Sequence, residues 1–393
     1  MRPRPRVFGA VLFALAAVGA ACSTSDAGPR SIRLLTHAEF DLPEAALADY
    51  TARTGVDVIV YREDDPTKVV DLLARSRATP VADVVVGIDT LELSRIVGER
   101  LVEPYRPIDR DLLDPSLLIE DDWMTPVSEL TACMNRSISY YTPPERRADE
   151  FPDPDAAPVA PPTSVNQFTD PEVAPTVVIP DARTSRMGLY FLVSLAQMYP
   201  EGNQRDDAVA WPQFLDLMLR GGVLVAPSFE AAYFSHFLPG TDTAADPTAH
   251  STDRPVTWGS TGMPAVTVRF QPDLPETVDI AVVNSGCIQI VNYAGMVAGT
   301  PNRLEAGRLL DMMVEPLFQY GIPDRFGSRP ARGDILRTDA WRAFGVELEG
   351  EVLDPLTVGR AWPGWLLTWN QVVRAVEEGP EPVPPEVEVT LPS

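Results

Sequence analysis

The sequence predicts an α/β protein in which doubly wound sheets are flanked by helices. Short runs rich in Val and Ile alternate with segments of helical periodicity, and this alternation is typical of strands joined by crossover helices. Hydrophobic residues make up 45% of the 393-residue chain, which supports more than one packed core. Glycines and prolines separate the segments and mark the connecting loops.

The first third of the chain alternates strands and helices. Predicted strands cover residues 31–36, 56–61 and 82–88, and predicted helices cover residues 42–54, 66–76 and 91–97. Ligands of such sheets bind beyond the carboxyl ends of the strands. His37 and Phe40 follow the first strand, and Asp89 and Thr90 follow the third, so these four residues are candidates for ligand binding. Alternatively, Asp89 and Thr90 cap the next helix, and Phe40 belongs to the core.

The rest of the chain continues this pattern with longer extended segments. We predict extended segments at residues 124–137, 177–179, 223–226, 256–261 and 288–298, and helices at residues 189–198, 211–220, 304–318 and 362–376. Polar residues at the end of segment 256–261 add Trp258 to the candidates for ligand binding. Proline-rich stretches at residues 152–162 and 380–392 are typical of linkers.

A loop at residues 181–185 leads into one of these helices. The start of a helix exposes unpaired backbone N–H groups and the positive end of the helix dipole. Arg183, Thr184 and Ser185 add a guanidinium and two hydroxyl groups, so the loop can hold an anionic or polar ligand group. Alternatively, Asp181, Thr184 or Ser185 caps the helix, and Arg183 pairs with a carboxylate such as Asp181 and faces no ligand.

Residues 1–22 have the layout of an export signal. Three arginines precede an apolar stretch, and small residues lead up to Cys22. This arrangement resembles a bacterial lipobox, in which the cysteine carries the lipid and becomes the mature N-terminus. An ordinary secretory signal that contains a cysteine is the alternative. Residues 23–30 are then a tether, and residues 379–393 a proline-rich tail.

Charge and motifs exclude several classes of function. The chain has 56 acidic and 32 basic residues and a net charge of −24, which argues against a nucleic-acid partner because phosphates need a basic face. No later stretch is long and apolar enough to span a membrane. His37, His236 and His250 are scattered, and no metal spacing, nucleophile with a histidine base or cofactor loop can be assembled. The sequence therefore predicts neither an enzyme nor a bound metal or cofactor.

Four segments of this sequence carry a family resemblance. They are Thr36-His37-Ala38-Glu39-Phe40, Ala82-Asp83-Val84-Val85-Val86-Gly87-Ile88-Asp89, Asp181-Ala182-Arg183-Thr184-Ser185, and Trp362 to Arg374. Together they resemble bacterial thiamine-binding lipoproteins of ABC importers, within the type 2 periplasmic-binding group. The resemblance extends over nearly all of the mature chain.

This resemblance implies two lobes, each a doubly wound sheet flanked by helices, joined by a hinge of crossing strands and closing on a ligand. Lobe 1 would comprise residues 31–127 and 292–325, and lobe 2 residues 128–291 and 326–378. Asp89 matches an acidic position that lies near the cationic ligand in the family.

The same resemblance implies roles for two further groups of residues. Arg183, Thr184 and Ser185 match the loop that faces the phosphate end of thiamine phosphates in the family. Phe229 and Tyr233 match an aromatic segment that stacks on the ligand rings. Several aromatic positions depart from the family pattern, and Phe229 itself stands where the family has Trp.

Cys133 and Cys287 are the cysteines that remain after Cys22. In an exported protein, two distant cysteines often pair, and two buried thiols are the alternative. The resemblance places both cysteines on neighbouring strands of lobe 2 near the hinge. We therefore predict a disulfide between them.

The leading functional hypothesis is a solute-binding lipoprotein that is held at the outer face of the cytoplasmic membrane through Cys22. It would be a monomer that delivers a small cationic or phosphorylated heterocycle, such as thiamine or a thiamine phosphate, to an ABC permease. Selective stabilisation of the closed form would be its mechanism. The alternatives are an exported protein that senses a ligand for a membrane receptor and an exported hydrolase.

Overall fold

The computed structural model describes residues 30–141, 160–201, 209–238, 254–269, 273–322 and 326–379. The predicted signal segment, Cys22, residues 23–29 of the predicted tether and nearly all of the proline-rich tail lie outside these ranges. Within them, no helix has both the length and the apolar character needed to cross a bilayer.

The strands of the described ranges form one continuous mixed sheet. They are β1 (Arg30–His37), β2 (Val56–Glu63), β3 (Val84–Asp89), β4 (Val102–Glu103), β5 (Thr125–Ser137), β6 (Val177–Pro180), β7 (Leu224–Ala226), β8 (Val256–Ser260), β9 (Ile280–Val297), β10 (Arg329–Pro330) and β11 (Glu351–Val352). The main path runs β2-β1-β3-β9-β5-β8-β6-β7, while β4 and β11 pair with β9, and β10 pairs with β5.

Strand direction divides this sheet into three parts. We call β2-β1-β3, whose neighbours run parallel, the first half, and β8-β6-β7, also parallel, the second half. Between them lie β9 and β5, which run antiparallel to each other and to the adjoining strand of each half. The predicted α/β class is confirmed, with parallel strands at both ends of the sheet.

Helices flank the sheet on both faces. Within the described ranges they are α1 (Glu44–Thr54), α2 (Pro66–Arg75), α3 (Thr90–Gly98), α4 (Arg186–Met198), α5 (Trp211–Arg220), α6 (Met263–Val266), α7 (Arg303–Val314), α8 (Pro316–Tyr320), α9 (Asp339–Phe344) and α10 (Pro355–Glu377). A π-helical segment, Ala231–Phe237, lies where the sequence suggested no defined element.

The ends of the helices follow local signals. Gly55 ends α1 in the left-handed conformation with a φ of 64°. The Asp65 side chain accepts a hydrogen bond from the backbone N–H of Lys68 at the start of α2, and Pro66 occupies the first helical position. These signals explain why several predicted helices agree closely with the structure.

Two predicted helices required correction. The segment expected as one helix from 304 to 318 is broken, since α7 ends at Val314 and α8 begins at Pro316. Glu315 between them is extended because a residue before proline avoids the helical region. The last helix begins at Pro355, seven residues before the predicted start at Trp362, because Asp354 caps it there. Pro363 lies inside this helix.

Hydrophobic cores form on both faces of the first half of the sheet and around the second half. Successive residues of β1 point to opposite faces, so Leu34 enters one core and Leu35 the other. A larger core surrounds the second half and includes α4, α5 and the Trp369 side chain of α10. The sheet is therefore covered by separate cores on either side of its middle.

Strands β5 and β9 are the long connections through the middle of the sheet. They have 13 and 18 residues and pair from Thr125 and Ala294 at one end to Ser137 and Ile280 at the other. The predicted disulfide is confirmed: Cys133 of β5 and Cys287 of β9 are bonded, with their Cα atoms 4.4 Å apart. The bond ties these two strands at the edge of the second half.

Removing this disulfide should destabilise the protein. The bond closes a chain segment of 154 residues, and its loss should lower the free energy of unfolding by about 2–4 kcal/mol because the unfolded chain gains freedom. The Cys133→Ser/Cys287→Ser variant and the oxidised wild type can be compared by urea unfolding. Equal unfolding midpoints for the two proteins would contradict the expectation, and wild type treated with a reductant serves as a second comparison.

Candidate functional site

A narrow cleft lies where the two halves of the sheet meet. Its enclosed volume is about 20 Å³, and the open space that includes its mouth is about 370 Å³. The carboxyl ends of β1 and β3 point to it from one side, and the start of α4 from the other. Its lining residues are His37, Glu39, Phe40, Leu130, Arg186, Met187, Tyr190, Asn292, Phe326 and Ser328. Most of these residues come from the end of β1, from α4 beside the second half, and from the crossing strands β5 and β9, so a molecule in the cleft would contact elements of both halves.

A buried ion pair joins the two halves beside this cleft. Arg186, the first residue of α4, donates from Nε to Oδ2 of Asp89 and from Nη2 to Oδ1, both at 2.6 Å. The hydroxyl of Tyr190 also donates to Oδ2 of Asp89 at 2.8 Å. The side chains of Arg186 and Asp89 are only 7% and 1% exposed. Both charges are therefore satisfied inside the protein, across the boundary between the halves.

The surroundings keep both the Asp89 carboxylate and the Arg186 guanidinium in their charged forms. Burial alone would raise the pKa of the Asp89 carboxyl. The positive charge of Arg186 and the hydrogen bonds that Asp89 accepts from Arg186 and Tyr190 outweigh burial, so this pKa lies below its usual value. Burial likewise opposes the charge of Arg186, but Asp89 raises the pKa of the guanidinium above its usual value. Neighbouring Glu92 differs, because burial dominates and raises the pKa of its carboxyl.

Asp89 has a second role, as the cap of α3. Its Oδ1 accepts hydrogen bonds from the backbone N–H groups of Leu91 at 3.1 Å and Glu92 at 3.3 Å. The hydroxyl of Thr90 bonds to the backbone of Val291 in β9. The capping alternative for Asp89 is thus realised, and the same carboxylate binds Arg186 as well.

His37 lies along the cleft at the end of β1 and is 6% exposed. Neither ring nitrogen makes a hydrogen bond among the residues that the structure describes. The ring packs beside Gly87, where a Cβ atom would lie 2.9 Å from Nε2, so Gly87 leaves room for it. Phe40 also lines the cleft, with its ring 6.1 Å from that of His37. These two sequence candidates therefore lie together at the cleft.

The polar side chains of the loop at residues 181–185 make hydrogen bonds to groups close to the loop. Nε of Arg183 donates to both carboxylate oxygens of Asp181, at 3.0 and 2.8 Å, and the indole N–H of Trp369 donates to Oδ1 of Asp181 at 3.2 Å. The hydroxyl of Thr184 donates to the backbone carbonyl of Pro227. Ser185 caps α4 by accepting from the backbone N–H of Gly188.

These contacts do not support the expected phosphate role for Arg183, Thr184 and Ser185. None of the three lines the cleft. The physical reason is that Asp181 lies only two residues from Arg183 and is held in place by the indole of Trp369. The guanidinium of Arg183 therefore pairs with the carboxylate of Asp181. The alternative set out from the sequence, pairing of Arg183 with Asp181, describes the observed geometry.

The predicted aromatic residues Phe229, Tyr233 and Trp258 belong to the core behind the cleft. All three are at most 1% exposed. The hydroxyl of Tyr233 donates to Oδ1 of Asn135, and the Phe229 ring packs against Phe326, which lines the cleft itself. Phe229 thus supports the cleft wall from behind through Phe326, whereas Tyr233 and Trp258 fill the core.

Sequence reasoning missed Arg186, Tyr190, Asn292 and Phe326 as residues of the cleft. A signal for the first two was present: an arginine at the start of an otherwise apolar helix, with a tyrosine one turn later, indicates a buried polar contact. Asn292 and Phe326 had no comparable local signal, because only the pairing of β9 and the path of the chain after α8 bring them to the cleft.

No group of three or more His, Cys, Asp or Glu side chains in the described ranges is arranged to hold a metal ion.

His37 should make stability depend on pH. Burial chiefly lowers the pKa of His37 to about 4, with Asp89 opposing and Arg186 adding to the shift. The unfolded chain, with a pKa of about 6.5, binds a proton at pH values where the folded protein does not. The free energy of unfolding should therefore fall as pH drops from about 6.5 to about 4, by up to about 1.4 kcal/mol per pH unit from this group.

In the His37→Asn variant this part of the pH dependence should be absent, as measured by urea unfolding at several pH values. His236→Asn, at a partly exposed position away from the cleft lining, is the matched control and should keep the wild-type slope. A His37→Asn slope equal to that of wild type would show that His37 is not held neutral.

Comparison with known proteins adds evidence on the fold. No family model matches the sequence, and no curated protein matches it either. Among solved structures, a periplasmic thiamin-binding protein is similar with a TM-score of 0.64 and 18% identity, over 87% of this chain and 96% of that one.

Iron-binding proteins are similar to a comparable degree. A ferric binding protein from Campylobacter jejuni gives a TM-score of 0.63 at 12% identity, over 87% of this chain and 99% of that one. Iron-bound HitA from Pseudomonas aeruginosa gives 0.60 at 13% identity, over 88% and 99% of the two chains. The chain therefore has the mixed α/β fold of the type 2 periplasmic-binding proteins.

Proposed function

We propose that this protein is an exported solute-binding protein of an ABC importer, and not an enzyme. The observation that carries the proposal is the cleft, whose lining comes mainly from the end of β1 in the first half, from α4 beside the second half, and from the two strands that lie between the halves. A ligand there contacts both halves only when they are together, so its binding favours the closed form. The similar solved structures, a periplasmic thiamin-binding protein and a ferric binding protein among them, support the same role.

The proposed protein has two lobes, with the boundaries expected from the sequence. Lobe 1 comprises residues 31–127 and 292–325, and lobe 2 comprises residues 128–291 and 326–378. The separate cores on either side of the middle of the sheet support this division. Strands β5 and β9 would form the hinge, because they are the long strands that lie between the halves and pair with β8 and β3, respectively.

The ligand that we propose for the cleft is a small heterocycle. Thiamine and its phosphates are the first compounds to test. The rings of Phe40 and Phe326 offer aromatic surface, and the Glu39 carboxylate, the His37 imidazole and the Asn292 amide offer polar contacts. A pocket of mainly apolar walls with a few polar groups is typical of small-molecule sites. Arg183 is left out of this site, since it is bound to Asp181.

Binding can be tested directly. Native mass spectrometry of the purified protein would identify a retained ligand, and thermal-shift measurements would screen thiamine, thiamine phosphates and ferric citrate. Phe40→Leu should weaken binding of the compound found by about 2- to 10-fold, because a stacked ring is worth about 0.5–1.5 kcal/mol. Thr184→Ala, outside the cleft, is the matched control and should bind as wild type does. Equal affinities for the wild type and Phe40→Leu would place the site elsewhere.

The proposal also includes a lipid anchor on Cys22. The Cys22→Ala variant, expressed in the native host, should be released into the medium because it has lost the attachment residue. Fractionation of cells followed by immunoblotting measures this, and Ser23→Ala is the control that keeps the cysteine. Retention of Cys22→Ala with the membranes would show that the anchor lies elsewhere.

A further inference from the structure

The side chain of Arg186 lies in a cage built mostly by the other half of the protein. Besides the two bonds to Asp89, its Nη1 lies 3.4 Å from the hydroxyl of Thr67 and 3.7 Å from a carboxylate oxygen of Glu92. The ring of Trp362 lies over the guanidinium, with its centroid 5.7 Å from Cζ. A bidentate carboxylate, a second carboxylate and an aromatic face are the groups that recognise a planar cation.

The walls of this cage are held mainly by contacts that do not involve α4. Asp89 is held as the cap of α3, the hydroxyl of Thr67 donates to Glu92 at 2.6 Å, and the indole N–H of Trp362 donates to the carbonyl of Leu91. Four wall residues therefore come from α2, the end of β3, α3 and α10. Tyr190 also belongs to the cage, and it lies on α4, the helix that carries Arg186; its hydroxyl donates to Asp89.

We propose that this cage is a guanidinium-binding site and that Arg186 is its tethered occupant. Arg186 thereby determines specificity, because it keeps cationic solutes away from Asp89 and leaves the neighbouring cleft around His37 and Phe40 for the transported ligand. This last step rests on the proposed solute-binding function. The cation site itself is a property of the residues that surround Arg186.

The electrostatics of the cage explain why it needs an occupant. Without Arg186, the Asp89 and Glu92 carboxylates would face each other's charge in a buried space, and burial of an unpaired charge is costly. A small cation of matching shape would relieve this cost when it binds. The emptied cage should therefore take up a guanidinium compound from solution, whereas the wild-type cage is already filled.

Chemical rescue tests the proposal. The Arg186→Ala variant is expected to have a lower Tm than wild type, and methylguanidinium chloride at low millimolar concentration should raise that Tm by several degrees relative to equal sodium chloride. The Tm of wild type should not rise under the same conditions. Arg186→Gln, which removes less volume, is measured in parallel.

The double variant Asp89→Asn/Arg186→Ala is the matched control. Asparagine retains an oxygen that can cap α3 but removes the charge that would bind the cation. This variant should show no rescue by methylguanidinium. If Arg186→Ala is unfolded alone, its folding on addition of methylguanidinium supports the proposal.

Two results would overturn the inference: no rescue of either single variant, or equal rescue of the single and double variants. Neither depends on knowing the transported ligand. If no solute is ever found to bind but rescue occurs, the proposed function fails and the cation site stands. If wild type binds a solute in the cleft but rescue fails, the function stands and the role of Arg186 is rejected.

Discussion

The buried ion pair between Asp89 and Arg186 is the contact that fixes helix α4 against the first half of the sheet. It crosses from the end of β3 to the start of α4 and is almost completely buried. Removal of one partner from a buried pair costs about 3–5 kcal/mol, since the remaining charge stays in the interior without compensation. The same carboxylate caps α3 and accepts from Tyr190, so helix geometry, charge and cleft shape are linked at one residue.

The middle of the sheet limits how the halves can move relative to each other. β5 and β9 pair over most of β5, with register shifts after Pro126 and after Ala132. The bond between Cys133 and Cys287 ties the two strands at the edge of the second half. In the proposed hinge, these strands would bend rather than slide, because sliding would break the hydrogen bonds between them. Such hinge motion about a few residues is common in proteins that close around a ligand.

Helix α10 connects the halves on the side of the ion pair. It packs on α3 of the first half and on α4 and α5 of the second half. Trp362 donates to Leu91 in α3, while Trp369 donates to Asp181 beside α4. Because Trp362 also covers Arg186, this helix shields the ion pair and would have to shift with any opening of the cleft.

The disulfide pairing was predicted from the two cysteines that remain after Cys22 and from the family resemblance. Local sequence patterns determined the class of fold, the approximate limits of many helices and strands, and the strand ends at the cleft. These features depend on periodicity, caps and turns, which act over a few residues. The tertiary structure alone decided which arginine faces the other half. Arg183 and Arg186 lie three residues apart in the same polar segment, yet Arg183 turns back to Asp181 and Arg186 reaches Asp89. It likewise placed Tyr233 and Trp258 in the core and brought Asn292 and Phe326 to the cleft. The physical reason is that a side chain's partner is set by which distant elements pack beside it, and local periodicity carries no information about that.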